Sequence, residues 1–280
     1  MSDSDVVIVG AARTPFGKLL GGLATLTAPE LGAIAIKGAL ERGGIDPAAV
    51  DAVVLGEVLQ AGVGQNPAKQ AALGAGISPR AHTTTVNKVC LSGLTAIIDA
   101  ARLLRSGEAD VVVAGGMESM TNAPQLLVGT RSGVKYGAVT TRDHMEYDGL
   151  TAADLGISMG SLSEKYAERY PVTRAESDHC AALSHQRSLA FTESGGFAPE
   201  IVPVIVGTRK GEVTMDRDEG IREGVTDESL AGLRTAFEKD GTITAGNSSP
   251  ITDGAAAVVL STRAHAAAQG WTVLALSLIH

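Results

Sequence analysis

Apolar positions along the first 120 residues switch repeatedly between short continuous runs and runs spaced by three and four. Val6-Val7-Ile8-Val9 is continuous, which suits a strand covered on both faces. Leu31 to Leu40 carries helical spacing, with Pro29 near its first turn and Gly43-Gly44 closing it. Val53-Val54-Leu55 predicts a second strand, Pro67 to Leu73 a short helix, and the β-branched run His82 to Val86 a third strand. Leu94, Ile97, Ile98, Ala101 and Leu104 then return at spacings of three and four, and Gly107 supplies the stop. Asp110 to Gly116 reads as a fourth strand. The βαβα order predicts a mostly parallel sheet with helices on its faces, an α/β class.

From about residue 121 the texture changes. Thr121 to Thr151 is polar and Gly-rich, and too long for an idle connection. Helices are predicted over Ala153 to Arg169, ended by Pro171, and over Ala175 to Phe191, ended by Gly195-Gly196. A β-rich piece, Glu200 to Met215, precedes a loop to Asp240, and Gly254 to Ser261 resumes the apolar strand pattern. The reading is an α/β domain over 1–120, an inserted loop domain over 121–250 and a return to the first domain over 251–270. Val273 to His280 reads as a strand on which the sequence stops, with nothing after it to cover it.

Composition narrows the function classes. The chain has 280 residues with 23 basic against 31 acidic side chains, a formal net charge of −8, which argues against a nucleic-acid or anionic-membrane partner. Two cysteines, Cys90 and Cys180, are too few for a disulfide framework or a structural zinc site, and no metal site is expected. The acidic start Met1 to Asp5 resembles no signal or transit peptide, and no eighteen-residue apolar run occurs. A soluble cytoplasmic protein is the expectation. Gly62-Val63-Gly64-Gln65-Asn66-Pro67 only weakly suggests a dinucleotide site, because its last position is Pro and it opens no long helix.

Cys90, in Asn87-Lys88-Val89-Cys90-Leu91-Ser92-Gly93, falls between the third strand and the helix after it. A helix N-terminus offers unpaired N–H groups and the positive end of the dipole, which favour a thiolate, the nucleophilic form of cysteine. The geometry leaves two readings open: a nucleophile, or a buried inert cysteine. Cys180, within a predicted helix among small apolar neighbours, reads as structural.

Five segments carry a resemblance across nearly the whole chain: Ala12 to Gly17, Gly64 to Ala68, Asn87 to Gly93, Ala114 to Met120, and Gly246 to Ala256. In order and spacing they resemble the thiolases, closest to the short-chain, acetyl-CoA acetyltransferase branch. The resemblance implies a layered fold of two similar βαβαβ halves with a loop domain in the first. It implies that Cys90 is the nucleophile and carries an acyl group between coenzyme A thioesters, and that the backbone N–H of Cys90 serves an oxyanion. Two acetyl-CoA would condense to acetoacetyl-CoA, with thiolysis as the reverse. A degradative 3-oxoacyl-CoA thiolase and a non-catalytic fragment are the alternatives.

Further positions follow from the same resemblance. Leu150, Met159, Arg222, Ser229, Ala245, Gly246 and Ser249 match coenzyme A contacts; the plain alternative for each is ordinary loop or helix surface. Met159 is expected to limit acyl length, and Ser158 stands where many short-chain members have histidine. Arg131 to Gly137 resembles a tetramer-forming loop, so a homo-oligomer, dimer or tetramer, is expected of the full-length form. No permanently bound cofactor is implied. The family's later Asn-Glu-Ala-Phe, Gly-His-Pro and Cys-Gly motifs do not occur in these 280 residues, and the histidines stand in no matching context. His179 and His185 read as a solvated helix face, His82 and His265 as surface. The chain therefore reads as a thiolase lacking its second half, with 271–280 the truncated start of that half or a foreign tail, and is expected to be inactive alone.

Overall fold

The computed structural model describes residues 2–167, 169–209 and 211–276. In chain order these form β1 (Val6–Arg13), β2 (Gly17–Lys18), α1 (Ala28–Gly43), β3 (Ala52–Gly56), α2 (Pro67–Gly74), β4 (His82–Val86), α3 (Ser92–Ser106) and β5 (Val111–Ser119). There follow β6 (Gln125–Leu126), β7 (Arg142–Asp143), β8 (Thr151–Ala152), β9 (Ile157–Ser158), α4 (Met159–Tyr166) and α5 (Arg174–Glu193). The last elements are β10 (Val204–Thr208), β11 (Gly211–Met215), α6 (Asp227–Ala231), β12 (Thr252–Thr262), α7 (Arg263–Gln269) and β13 (Ala275–Leu276). They fall into two compact units, Met1–Asn122 with Glu200–Arg217 and Thr252–His280, and Ala123–Pro199 with Asp218–Ile251.

The first unit is built on a sheet of order β13-β1-β12-β5-β3-β4, with β2 pairing β12. β3 runs parallel to β4 and β5, but β12 lies between β1 and β5 and is antiparallel to both. The sheet is therefore mixed rather than mostly parallel. Periodicity could not show this, because a continuous apolar strand reads the same in either direction. Successive residues of each strand serve opposite faces. Val53, Leu55, Val111 and Val113 join the core under α1 and α2. Val54, Val112, Ala114 and Leu260 join Ala96, Ala100 and Leu104 of α3 on the other side. Each of the valines and leucines, fully buried, stabilises the fold by about 1.5–3 kcal/mol, and each alanine by about 1 kcal/mol or less.

Local signals set the helix ends. Thr27 and Glu30 form a reciprocal capping box at α1, and Gly44, in the left-handed region at φ 62°, ends it. α5 repeats the device with Thr173 and Glu176. The backbone N–H and hydroxyl of Thr173 hold the Glu176 carboxyl below its usual range.

In the second unit the expected helix over Ala153 to Arg169 begins only at Met159. Before it lie a π-helical turn, Met145–Leu150, and the β8–β9 hairpin, whose reversal uses Gly156 at φ 65°. α7, not anticipated, is capped by the Thr262 hydroxyl and closed by Gly270. Of the strand expected over Val273 to His280, Ala275 and Leu276 pair with β1, and 277–280 lie outside the described residues. Among the described residues, no helix is long and apolar enough to cross a membrane.

Candidate functional site

Cys90 sits on a tight reversal between β4 and α3 and is exposed, with a free thiol. The reversal is held from several directions. Ser92 accepts from the Lys88 amide at 2.8 Å and donates its hydroxyl to Val89 O at 2.6 Å, while its own amide donates to Val89 O at 3.0 Å. Asn87 Oδ1 accepts from the Val89 amide at 2.9 Å. Val89 is thereby kept at φ 50°, a left-handed conformation costly for a β-branched residue, about 1–3 kcal/mol. Leu91 is the N-cap of α3 and provides no side-chain cap, so the helix start is left to neighbouring groups or a ligand. An exposed thiol on a strained, firmly bonded turn at an uncapped helix start can act as a positioned nucleophile.

The turn is also clamped from below. A Cβ on Gly56 would stand 2.5 Å from Ser92 C and 2.6 Å from Gly93 N, so only glycine allows β3 to pass under the start of α3. The next residue, Glu57, escaped the sequence reading. It is buried, and neither carboxyl oxygen has a hydrogen-bond partner. Burial first, and the charge of Glu118 second, push its pKa up to about 8. Its signal was an acid set directly between the apolar run of β3 and Val58-Leu59, where a solvated loop was the ordinary reading.

The other seven candidates lie in the second unit, Cys90 in the first. Leu150 and Met159 occupy the open end of the β8–β9 hairpin, one step outside the Thr151–Ser158 pair. Ser158 is the N-cap of α4, accepting from the Ser161 amide at 3.1 Å. α4 in turn fixes the segment carrying Ala245, Gly246 and Ser249, because the Glu164 carboxylate accepts from the Thr242 and Ile243 amides at 2.8 and 2.7 Å. α5 fixes the same segment through Asp178, which is buried and accepts from Arg174 Nε at 2.7 Å and Asn247 Nδ2 at 2.9 Å. Gly246 is buried against Leu230 and Leu233, where a Cβ would approach to about 2.5 Å. Ala245 and Ser249 are exposed.

Gly246 and Ser249 line one groove of about 500 Å³ along α5, together with Glu176, Cys180, Ser184 and His185. The Arg222 amide donates to His185 Nδ1 at 3.2 Å, which ties Arg222 to the same groove. Ser229, by contrast, is occupied in capping α6: it accepts from the Thr226 amide at 2.9 Å and donates to Thr226 O at 2.8 Å.

Two side-chain readings change. His185 is half-buried rather than solvated, and burial, then the charge of Arg222, lowers its pKa. Cys180 lines the groove and is exposed, not packed in a core. Three other histidines are engaged locally: His144 Nδ1 with Asp148 at 2.6 Å, His179 Nδ1 with Asp227 at 2.8 Å, and His265 against the Trp271 ring at 5.5 Å.

Residues 6–264 match the family model described as "Thiolase, N-terminal domain". A "Probable acetyl-CoA acetyltransferase" of Mycobacterium tuberculosis (strain ATCC 25618 / H37Rv) is 52% identical over 270 residues, covering 96% of this chain and 69% of the relative. An "Acetyl-CoA acetyltransferase" of Pseudomonas aeruginosa is 49% identical, over 97% of this chain and 69% of its own length. One of Cupriavidus necator is 47% identical, with 97% and 70% covered. A mixed sheet flanked by helices, with Cys90 on the turn beneath one of them, is thus the setting in which these matches fall. The chain belongs to the thiolase family.

Proposed function

We propose that the chain is the Cys90-bearing part of an acetyl-CoA C-acetyltransferase, acting through an acyl-cysteine. The observation that carries the reading is the exposed Cys90 thiol on a strained turn at the uncapped start of α3, in a chain about half identical to relatives of that name. The Cys90 thiolate adds to the carbonyl carbon of an acetyl thioester. The carbon–sulfur bond to coenzyme A breaks, and coenzyme A leaves as its thiolate, to be protonated. A second acetyl-CoA, having lost an α-proton, attacks the acyl carbon, acetoacetyl-CoA departs and the Cys90 thiolate is restored. Each addition places negative charge on the former carbonyl oxygen, which the Cys90 amide would stabilise.

Coenzyme A thioesters are the substrates on this reading, with Leu150, Met159, Arg222, Ser229, Ala245, Gly246 and Ser249 as contacts. The groove lined by Gly246 and Ser249 supports two of these, and the Arg222 link to His185 a third. Exposed Met159 would meet the acyl chain, and the exposed Val134 and Tyr136 of the Arg131 to Gly137 loop suit contact with another copy of the chain. A thiol at its ordinary pKa of about 8.5 is only a few per cent ionised at neutral pH, so turnover needs a base. Among the described residues His144, His179, His185 and His265 are engaged elsewhere and His82 lies at the far end of β4 from Cys90, which supports acylation without rapid turnover. The test is mass spectrometry of peptides after incubation with acetyl-CoA. Acetyl is expected on Cys90 and absent from a Cys90→Ser chain. Equal labelling of Cys180, or none on Cys90 in the folded chain, refutes the reading.

A further inference from the structure

Glu57 has no part in that chemistry, yet its backbone is joined to the nucleophile's turn on both sides. Its amide donates to Val86 O at 3.0 Å, at the end of β4. The amides of Val58 and Leu59 donate to the Glu118 carboxylate at 2.9 and 3.1 Å. Val58 O accepts from Asn87 Nδ2 at 3.4 Å, and the other end of that amide group accepts from Val89 N–H, immediately before Cys90. Gly56, on the opposite side, lies against the Ser92–Gly93 backbone.

Between these attachments the Glu57 side chain is 1% exposed, and neither carboxyl oxygen has a partner. A charged carboxylate so placed would cost several kcal/mol. Glu118 on β5 is the charged group that acts on it. β3 and the first turn of α3 carry no ionisable side chain, the only one on β4 is His82 at its far end, and Lys88 in the turn is exposed.

We propose that Glu57 is a positioning residue for Cys90: buried without a partner directly after β3, it leaves Glu118 as the sole carboxylate at the Val58 and Leu59 amides and so keeps the bonded path Val58–Asn87–Val89 intact. Ionised, Glu57 competes for those amides and repels Glu118, and the turn that presents Cys90 loosens. The proposal rests on Cys90 being the nucleophile.

The test follows iodoacetamide alkylation of Cys90, read on its own peptide, in the native chain and in Glu57→Gln, from about pH 6.5 to 9.5. The thiol's own ionisation is largely common to both chains, so the ratio of variant to native rate isolates Glu57. The expected ratio climbs about three-fold or more, with a midpoint near pH 8. A ratio flat across that range, in two folded chains, overturns the proposal. Where Glu57→Gln does not fold, the native chain is read alone by infrared spectroscopy with labelled glutamate. A protonated-carboxyl stretch that fades with the same midpoint supports the proposal; its absence at pH 6.5 overturns it. Neither measurement uses a coenzyme A thioester, so a Cys90 whose alkylation ratio rises as expected but which takes no acetyl separates failure of the functional reading from failure of this one.

Discussion

Asp178 is the residue whose loss should do most damage to the second unit. Its carboxylate, 3% exposed, accepts from Arg174 Nε at 2.7 Å and from Asn247 Nδ2 at 2.9 Å. Arg174 also donates to Leu230 O and Leu233 O, both at 2.8 Å, while Asn247 Oδ1 accepts from the Thr244 amide at 2.8 Å. Asp178 thus holds α5, the end of α6 and the Thr244–Ser249 segment together. Asp178→Ala removes two hydrogen bonds to a carboxylate, each worth about 1.5–3 kcal/mol before the exposure of Arg174 is counted. It also leaves two donors without their acceptor. Arg174 is one quarter exposed, so water relieves part of that penalty. The expected loss is therefore about 3 kcal/mol, the low end for breaking a buried pair, against a total stability of about 5–15 kcal/mol. Asp178→Asn keeps an oxygen for Asn247 and the side-chain volume, so it should cost about half as much. Urea unfolding gives the stability, and hydrogen exchange at the Thr244 and Gly246 amides reports on the segment itself. A loss under about 1 kcal/mol with unchanged exchange, or an Asn variant no milder than Ala, would refute the reasoning.

Two further outcomes follow from the first unit. Glu57 has a raised pKa in the fold, about 8 against 4.5 when unfolded, so the native state holds a proton that the unfolded state loses. Stability from this group is fully present below about pH 4.5, falls by up to about 1.4 kcal/mol per unit, and is gone above about pH 8. Glu57→Gln, uncharged throughout, should therefore gain on the native chain by about 3 kcal/mol between pH 4.5 and 7 in urea unfolding; an equal difference at both pH values rules the linkage out. Gly56→Ala would set a methyl group against the Ser92–Gly93 backbone, which has no flexible end to yield. It should cost about 1–3 kcal/mol and slow acetylation of Cys90 disproportionately to that loss; a stable chain acetylated at the native rate would exclude a role for this contact.

What could be read along the chain was local. The limits of α1 follow from Thr27, Pro29, Glu30 and Gly44, which interact only with near neighbours, so sequence and structure agree to within a few residues. Cys90 at a strand-to-helix turn was legible for the same reason: the β-branched run and the spacing from Leu94 to Leu104 bracket it. The five motifs sufficed to place the chain among the thiolases. Direction and partnership were not legible. β12 enters between β1 and β5 from more than 100 residues away in the chain, and its hydrophobic pattern suits a parallel or an antiparallel place equally.

The same holds for the polar residues that matter most. Nothing along the sequence singles out Glu57 or Asp178, while His185 reads as solvated and Cys180 as structural. Their surroundings in the fold decide each of them, and those depend on which distant segment arrives. β5 brings Glu118 to Glu57, the 242–249 segment brings Asn247 to Asp178, and the loop at Arg222 brings its amide to His185. The sequence by itself determined the ends of α1 and α3, the strand cores and the place of Cys90, because short-range chemistry fixes them. Only the tertiary structure decided which ionisable groups lie in low dielectric and which carry the turn and the groove, because a charge's energy is set by its neighbours in space.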